Sequence, residues 1–365
     1  KKILVTKQSY IEFLENPTIE FLKDKRIHIG SQGYNTDKTN HWDIIYENSE
    51  NTLDLYSKHF NTIEISDTYY NNYEESYWSS LQNSLDELED FSLSILFNKE
   101  LSVTLNNLDN IEDEKTVQDV FGKYWNSKME FIVDYLHNVV FLFESNFEYN
   151  PFNLDKIKLL HKIIAPYQET INFVFEFYNN TWYNSTVADF FIENNLSYTT
   201  LILNNNNNEF GYNLKNNIDF ISSYQNQFKI NYIKLYGSIA KFNGSHNKNL
   251  PQLIDFIKLQ NFGEQGILSI LNSQKEQYIY FANIETDLYN KRYNPNPTIN
   301  KLSEETTVSE TGDPDDEELE ETSLETETLQ TELIGSDTPT ENINIPASVF
   351  DAKCLCKILN KININ

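Results

Sequence analysis

The chain is poor in the residues that staple, anchor or metallate a protein. Of 365 residues only two are cysteine, Cys354 and Cys356, so close together that a bridge between them would tie no distant segments. As a C-x-C pair they could offer two ligands to a metal, but a zinc site needs four and no histidine stands nearby to complete it. The six histidines, His28, His41, His59, His137, His161 and His246, show neither H-x-E-x-H nor H-E-x-x-H spacing. No metal or other cofactor is expected. A P-loop, a G-x-G-x-x-G turn and a G-x-S-x-G elbow are missing too. No apolar run approaches the roughly 18 residues that cross a bilayer, and no basic-apolar-small leader precedes the first strand. Bases are scarce as well: 28 Lys and Arg stand against 55 Asp and Glu, a formal charge of −27. Residues 302–342 hold 15 acids and no base, and 343–365 carry a net +2, which leaves −14 for residues 1–301. An acidic body repels a duplex or an anionic membrane at long range, so neither is an expected partner.

Aromatic residues and asparagine are abundant instead. With 23 Tyr and 24 Phe the aromatic share is 14%, which predicts a core built on rings. The run Asn204 to Asn208 reads as a loop. A bias toward Asn, Ile, Lys, Tyr and Phe points to an AT-rich genome, such as that of a large DNA virus or a protist. The expected setting is soluble, reducing and intracellular, the host cytoplasm or a virion if the source is viral. A sequon such as Asn184-Ser185-Thr186 then carries no glycan. The first residue is Lys1, as expected of a fragment.

Short apolar stretches alternate with amphipathic ones along most of the chain. Strands are predicted at 26–30, 62–65, 91–97, 138–143, 172–177, 198–203, 231–236 and 278–281. Helices are predicted at 52–59, 74–88, 116–136, 154–164, 185–194, 214–227 and 250–259. Eight nearly continuous apolar strands between helices, within about 260 residues, fit a parallel sheet closed as a TIM-type (β/α)8 barrel. An open doubly wound sheet lacks its glycine fingerprint after the first strand. That strand runs into Gly30-Ser31-Gln32-Gly33-Tyr34, read as a loop whose glycines permit tight geometry. Pro295 and Pro297 argue against a full eighth helix. The division expected is an N-terminal helical extension over 1–25, the barrel over 26–300, and an acidic linker over 301–344 too poor in apolar residues to order itself. A last segment, 345–365, has helix-like spacing and would dock on the barrel or on a partner.

An ordered series of motifs runs along the same frame: Gly30-Ser31-Gln32-Gly33-Tyr34, Trp42, Phe60-Asn61-Thr62-Ile63-Glu64-Ile65 with Thr68-Tyr69-Tyr70, Phe175-Glu176-Phe177 with Trp182, Leu235-Tyr236-Gly237, and Phe281-Ala282-Asn283. It resembles the YecE-like family, domain of unknown function 72, over Ile27 to Asn283. The resemblance implies a TIM-type barrel with its pocket at the C-terminal strand ends, and a family without an established activity. The departures are informative. Where the family's F-S-V-K ends, this chain has Leu96, and Ser102 and Val103 stand where its Thr-His would fall. F-Q-L-P-P becomes Phe141-Leu142-Phe143-Glu144-Ser145, E-F-R-H becomes Glu176-Phe177-Tyr178-Asn179, and R-x-H-G becomes Lys234-Leu235-Tyr236-Gly237. Most of the titratable pocket groups are gone.

Glu64 and Glu176 interrupt apolar strands, where an unpaired carboxylate is costly, so each needs a partner or a shifted pKa. They read either as a carboxylate pair lining a pocket, able to hold a polyol or act as acid and base, or as structural partners of Lys234. Lys234 in turn could neutralise an anionic ligand or only pair with Glu176. Gln32, Tyr34, Tyr70, Tyr178, Trp182 and Tyr236 are further ligand-binding candidates, the aromatic ones as a wall for a sugar or base or as plain packing. Asn283 could orient a ligand by its amide. The expected function is a non-catalytic or catalytically decayed barrel that binds a small polar ligand in its mouth or serves structurally, with the acidic tail and last segment engaging a protein partner. The alternative is an enzyme acting on a sugar- or nucleotide-like substrate through Glu64 and Glu176.

Overall fold

Eight parallel strands close into a ring in a computed structural model of the protein, which describes residues 26–33, 52–203, 220–221, 223–224, 227–236 and 275–282. All of these belong to one compact unit. The strands are β1 (Ile27–Gln32), β2 (Thr62–Ile65), β3 (Ser92–Leu96), β4 (Leu136–Phe143), β5 (Asn172–Phe177), β6 (Ser197–Leu203), β7 (Asn231–Tyr236) and β8 (Gln277–Ala282). Each pairs with its neighbours in chain order, and β8 returns to β1 from Ile27↔Gln277 to Ser31↔Phe281. Between them stand α1 (Thr52–Ser57), α2 (Glu75–Asp86), α3 (Lys99–Asn106), α4 (Glu114–Trp125), α5 (Pro151–Ile164) and α6 (Ser185–Glu193). This is the TIM-type barrel expected from the alternation. Among the described residues no helix is long and apolar enough to cross a membrane.

Alternation along each strand divides the side chains between two environments. The outward set is apolar and aromatic. Phe141 stacks on Phe173 at 5.8 Å, Phe97 on Phe121 of α4 at 5.4 Å, and Phe175 meets Phe191 of α6 at 4.9 Å. These rings seal the sheet against its helices and add to its apolar burial.

The inward set mixes polar side chains with apolar ones such as Leu96, Val140, Leu142 and Val174. Tyr280 of β8 places its hydroxyl 2.8 Å from Thr62 Oγ1 of β2 and 2.6 Å from Ser94 Oγ of β3, and Asn138 Nδ2 of β4 donates to Ser94 Oγ at 2.8 Å. Neither β2 nor β3 adjoins β8, so these bonds cross the inside of the ring. Barrels of this class usually fill that space with branched apolar side chains. Here hydroxyls and amides that satisfy one another take part of it, as buried polar groups must. The reading of the strands as nearly continuous apolar runs therefore holds for their outer face and, on the inner face, for positions such as Val140, Leu142 and Val174.

Two local expectations are corrected. β1 does not end at Gly30 but continues to Gln32, so Gly30 is a strand residue rather than a loop residue. A Cβ there would lie 2.0 Å from the Thr62 carbonyl oxygen and 2.9 Å from the Tyr56 hydroxyl. That hydroxyl donates to Thr62 O at 2.9 Å and accepts from Ser31 N at 2.7 Å, riveting α1 to the β1–β2 seam. Asn61 reinforces the seam, accepting from Ile29 N and donating to Ile27 O, both at 2.9 Å. The bend comes at Gly33, whose φ of +80° suits glycine. The single helix expected over 116–136 is also broken: α4 stops at Trp125, a 3-10 turn covers Met129–Tyr135, and β4 begins at Leu136. Ser127 Oγ donates to Lys123 O at 2.5 Å, a side-chain bond that competes with helix continuation. α3 was not expected. Its signal is Asn98, which caps the helix by accepting from Glu100 N at 3.0 Å, followed by Leu101 and Leu105 on one face.

The expected extension over 1–25, Trp42, the helix at 250–259, the stretch 289–300, the acidic segment 301–344 and the last segment 345–365 with Cys354 and Cys356 lie outside the described residues. So does most of the helix expected at 214–227.

Candidate functional site

Inward positions near the C-terminal ends of four strands converge inside the ring. They are Gln32 on β1, Glu64 on β2, Glu176 on β5 and Lys234 on β7. Each charged side chain alternates with outward apolar neighbours, such as Ile63 and Ile65 around Glu64, and the strand period alone turns it inward. Lys234 Nζ lies 2.8 Å from Glu64 Oε2 and 2.5 Å from Glu176 Oε2, and all three side chains are 0% exposed. Gln32 Nε2 donates to Glu64 Oε1 at 2.7 Å, the Tyr232 hydroxyl to Glu64 Oε2 at 2.6 Å, and the Tyr178 hydroxyl to Glu176 Oε1 at 2.5 Å.

Dehydrating ions costs several kcal/mol apiece, and only close pairing with further hydrogen bonds offsets it, to the order of magnitude. The array meets that condition by giving both carboxylates charged and neutral donors. Burial, followed by the Glu64 charge, pushes the Tyr232 phenol well above its ordinary range, so it remains a donor. Burial does the same to Tyr280, against the opposing bonds from Ser94 and Thr62. At the other end of the barrel His28 Nε2 lies 2.6 Å from Glu276 Oε2 and its ring stacks on Tyr278 at 4.4 Å.

The structure thus gathers five of the sequence candidates, Gln32, Glu64, Glu176, Tyr178 and Lys234, into one array. The pairing of Lys234 with Glu176 is present, and Glu64 joins it. Trp182 stands apart: its ring stacks on outward-facing Phe177 at 4.4 Å and on Phe147 at 5.1 Å, and its Nε1 donates to Phe147 O at 2.6 Å. Tyr70 sits in the β2–α2 connection, edge-on to Tyr69 at 4.9 Å and 5.5 Å below the Lys99 ammonium. Tyr236 ends β7, while Tyr34 and Asn283 lie outside the described residues. At the departures from the family pattern, Leu96 is fully buried, Ser102 Oγ donates to Leu142 O at 2.5 Å, and Val103 is exposed.

Sequence reasoning missed Tyr232, Tyr280, Thr62, Ser94 and Asn138. Their signal is a period of two: Thr62 with Glu64, Ser92 with Ser94, Tyr232 with Lys234, Tyr278 with Tyr280. Among the described residues no group of three or more His, Cys, Asp or Glu is placed to hold a metal ion. What the array offers is fixed polarity of both signs, with two carboxylates against one ammonium among the described residues.

A closed parallel barrel with a buried ion array near its C-terminal strand ends defines a TIM-type α/β protein with hydrogen-bonded polar groups inside its ring. The family model described as "Protein of unknown function DUF72" matches residues 28–230, and the chain belongs to this family. Among solved structures it is similar to a DUF72 family protein from Thermotoga maritima MSB8, at 14% identity over 71% of this chain and 93% of that one, with a TM-score of 0.48. It is also similar to a DUF72 family protein from Enterococcus faecalis V583, at 15% identity over 79% of this chain and 100% of that one, with a TM-score of 0.43. No curated protein matches the chain.

Proposed function

We propose that the barrel is a non-catalytic binding module for a small polar ligand at the C-terminal ends of its strands. In this reading Glu64, Glu176 and Lys234 hold charge and hydrogen bonds in place rather than move protons. The observation that carries it is the position of Lys234 Nζ, 2.8 Å and 2.5 Å from the two carboxylates. A general acid or base must exchange a proton with its substrate. Here lysine, tyrosine and glutamine donors already occupy both candidates. The losses at Leu96, Ser102, Val103 and Tyr178 support the same reading, because positions that build the barrel remain while proton-handling ones are replaced.

Thermal-shift measurements on the full chain against sugars, polyols, nucleotides and phosphates test the proposal. The expected result is stabilisation by one such class with no conversion of the compound. Conversion that disappears in Glu64→Gln or Glu176→Gln would instead establish the enzyme reading, with those residues as acid and base. The acidic stretch 302–342 and the segment after it act, in the proposed reading, as an arm for a protein partner. Deleting 301–365 is then expected to leave ligand stabilisation intact, and loss of that stabilisation would refute the assignment.

A further inference from the structure

Inside the barrel one polar group is left over. Among the described residues that face the interior, Thr199 alone has a buried side-chain oxygen without a hydrogen-bond partner. Its direction follows from β6: Tyr198 stacks on Phe191 of α6 at 4.5 Å, outside the ring, so the next side chain points inward. Thr199 is the register partner of Tyr232 on β7. One step beyond the pair Phe175↔Tyr198, its neighbour on the other side is Glu176 of β5. The orphan hydroxyl therefore belongs to a residue flanked in the sheet by Glu176 and Tyr232, whose side chains both take part in the array. Lys234 stands in the same array: an ammonium has three donors, the two carboxylates lie 2.8 Å and 2.5 Å from it, and its third direction has the Tyr232 ring at 5.9 Å.

We infer that Thr199 is the floor of a subsite that receives one hydroxyl of an uncharged polyhydroxyl ligand. The inference rests on the binding reading above and names its ligand class. A hydroxyl both donates and accepts, so it can complete Thr199, give a hydrogen bond toward Glu176 and take one from Lys234. An amine offers donors only and would face the Lys234 ammonium. An anion such as a phosphate ester would face, among the described residues, two carboxylates against one positive charge, in a body that is itself acidic.

Titration calorimetry on the full chain tests this with xylitol, myo-inositol and glucose as probes, glucose 6-phosphate as the anionic control, and the variants Thr199→Val and Thr199→Ser. At least one neutral polyol binds, Thr199→Val weakens it about tenfold or more, Thr199→Ser retains it, and glucose 6-phosphate binds more weakly than glucose. Without ligand, Thr199→Val melts at or above the wild-type temperature, because it removes an unpaired buried hydroxyl while keeping the shape. The inference is overturned if no polyol binds, if Thr199→Val binds as the wild type does, if the phosphate ester binds more tightly, or if Thr199→Val melts lower. Conversion of a bound polyol would sink the non-catalytic reading while leaving the subsite standing, so the two failures are separable.

Discussion

Lys234→Met is the sharpest perturbation of the array. The substitution keeps a linear apolar stem of similar length and removes the one ammonium that Glu64 and Glu176 share. Two carboxylates at 0% exposure would then face each other with tyrosine and glutamine as their donors among the described residues. Removing one partner from a buried ion pair costs about 3–5 kcal/mol, which lowers the melting temperature by roughly 6–20 °C in a domain of this size. Glu176→Gln is a different case. It leaves Lys234 paired with Glu64 but turns one of two accepting oxygens into an NH2 that must face either the Tyr178 hydroxyl or the Lys234 ammonium, so it costs about 1–3 kcal/mol. The combination of Lys234→Met with Glu64→Gln and Glu176→Gln leaves no uncompensated charge and recovers much of the single-variant loss. Urea denaturation followed by circular dichroism reads all three. A loss below about 1 kcal/mol for Lys234→Met, or an equal loss for Glu176→Gln, would refute the charge reasoning.

Three further outcomes follow from the packing and the titrating groups. Gly30→Ala would force a Cβ against the Thr62 carbonyl at 2.0 Å; the β1–β2 seam must open, with a loss of about 3 kcal/mol or more by denaturation, and a near-neutral result would contradict the close approach. Trp182→Phe keeps the stack on Phe177 but loses the bond to Phe147 O; stability drops by about 1–3 kcal/mol while ligand stabilisation is unchanged, because the ring stands outside the array. Burial, aided by the charge of His28, holds the His137 imidazole below its ordinary 6.5 despite the bond to Tyr135 O and the charge of Glu276. The folded state then binds fewer protons than the unfolded chain, so this contribution is full above 6.5 and is lost as the pH falls through 6.5 toward the depressed folded value. Denaturation midpoints from about pH 7.5 to about pH 5.5 should fall, and His137→Asn should flatten that slope.

The barrel was legible in the sequence because its outward faces are so apolar that every strand stands out from the helices on either side. Glu64 and Glu176 were legible for the opposite reason, as carboxylates inside apolar strands that could survive there only with partners. The hydroxyl and amide lining was not read, because Thr, Ser and Asn scattered among Phe and Ile look like ordinary strand residues until the period of two is followed within each strand. Tyr232 and Tyr280 were hidden among many tyrosines. Gly30 reads as a turn residue because a glycine before Ser31-Gln32-Gly33 looks like a loop in the sequence. Its real cause, the approach of Tyr56 and Thr62, is a tertiary contact that local pattern does not contain.

The measurement that bears most directly on Glu64, Lys234 and Glu176 as fixed binding groups is proton NMR of a stabilising ligand held with stoichiometric protein over days. The expected result is line broadening from binding, with the ligand recovered chemically unchanged. New product resonances that vanish in Glu64→Gln or Glu176→Gln would contradict it.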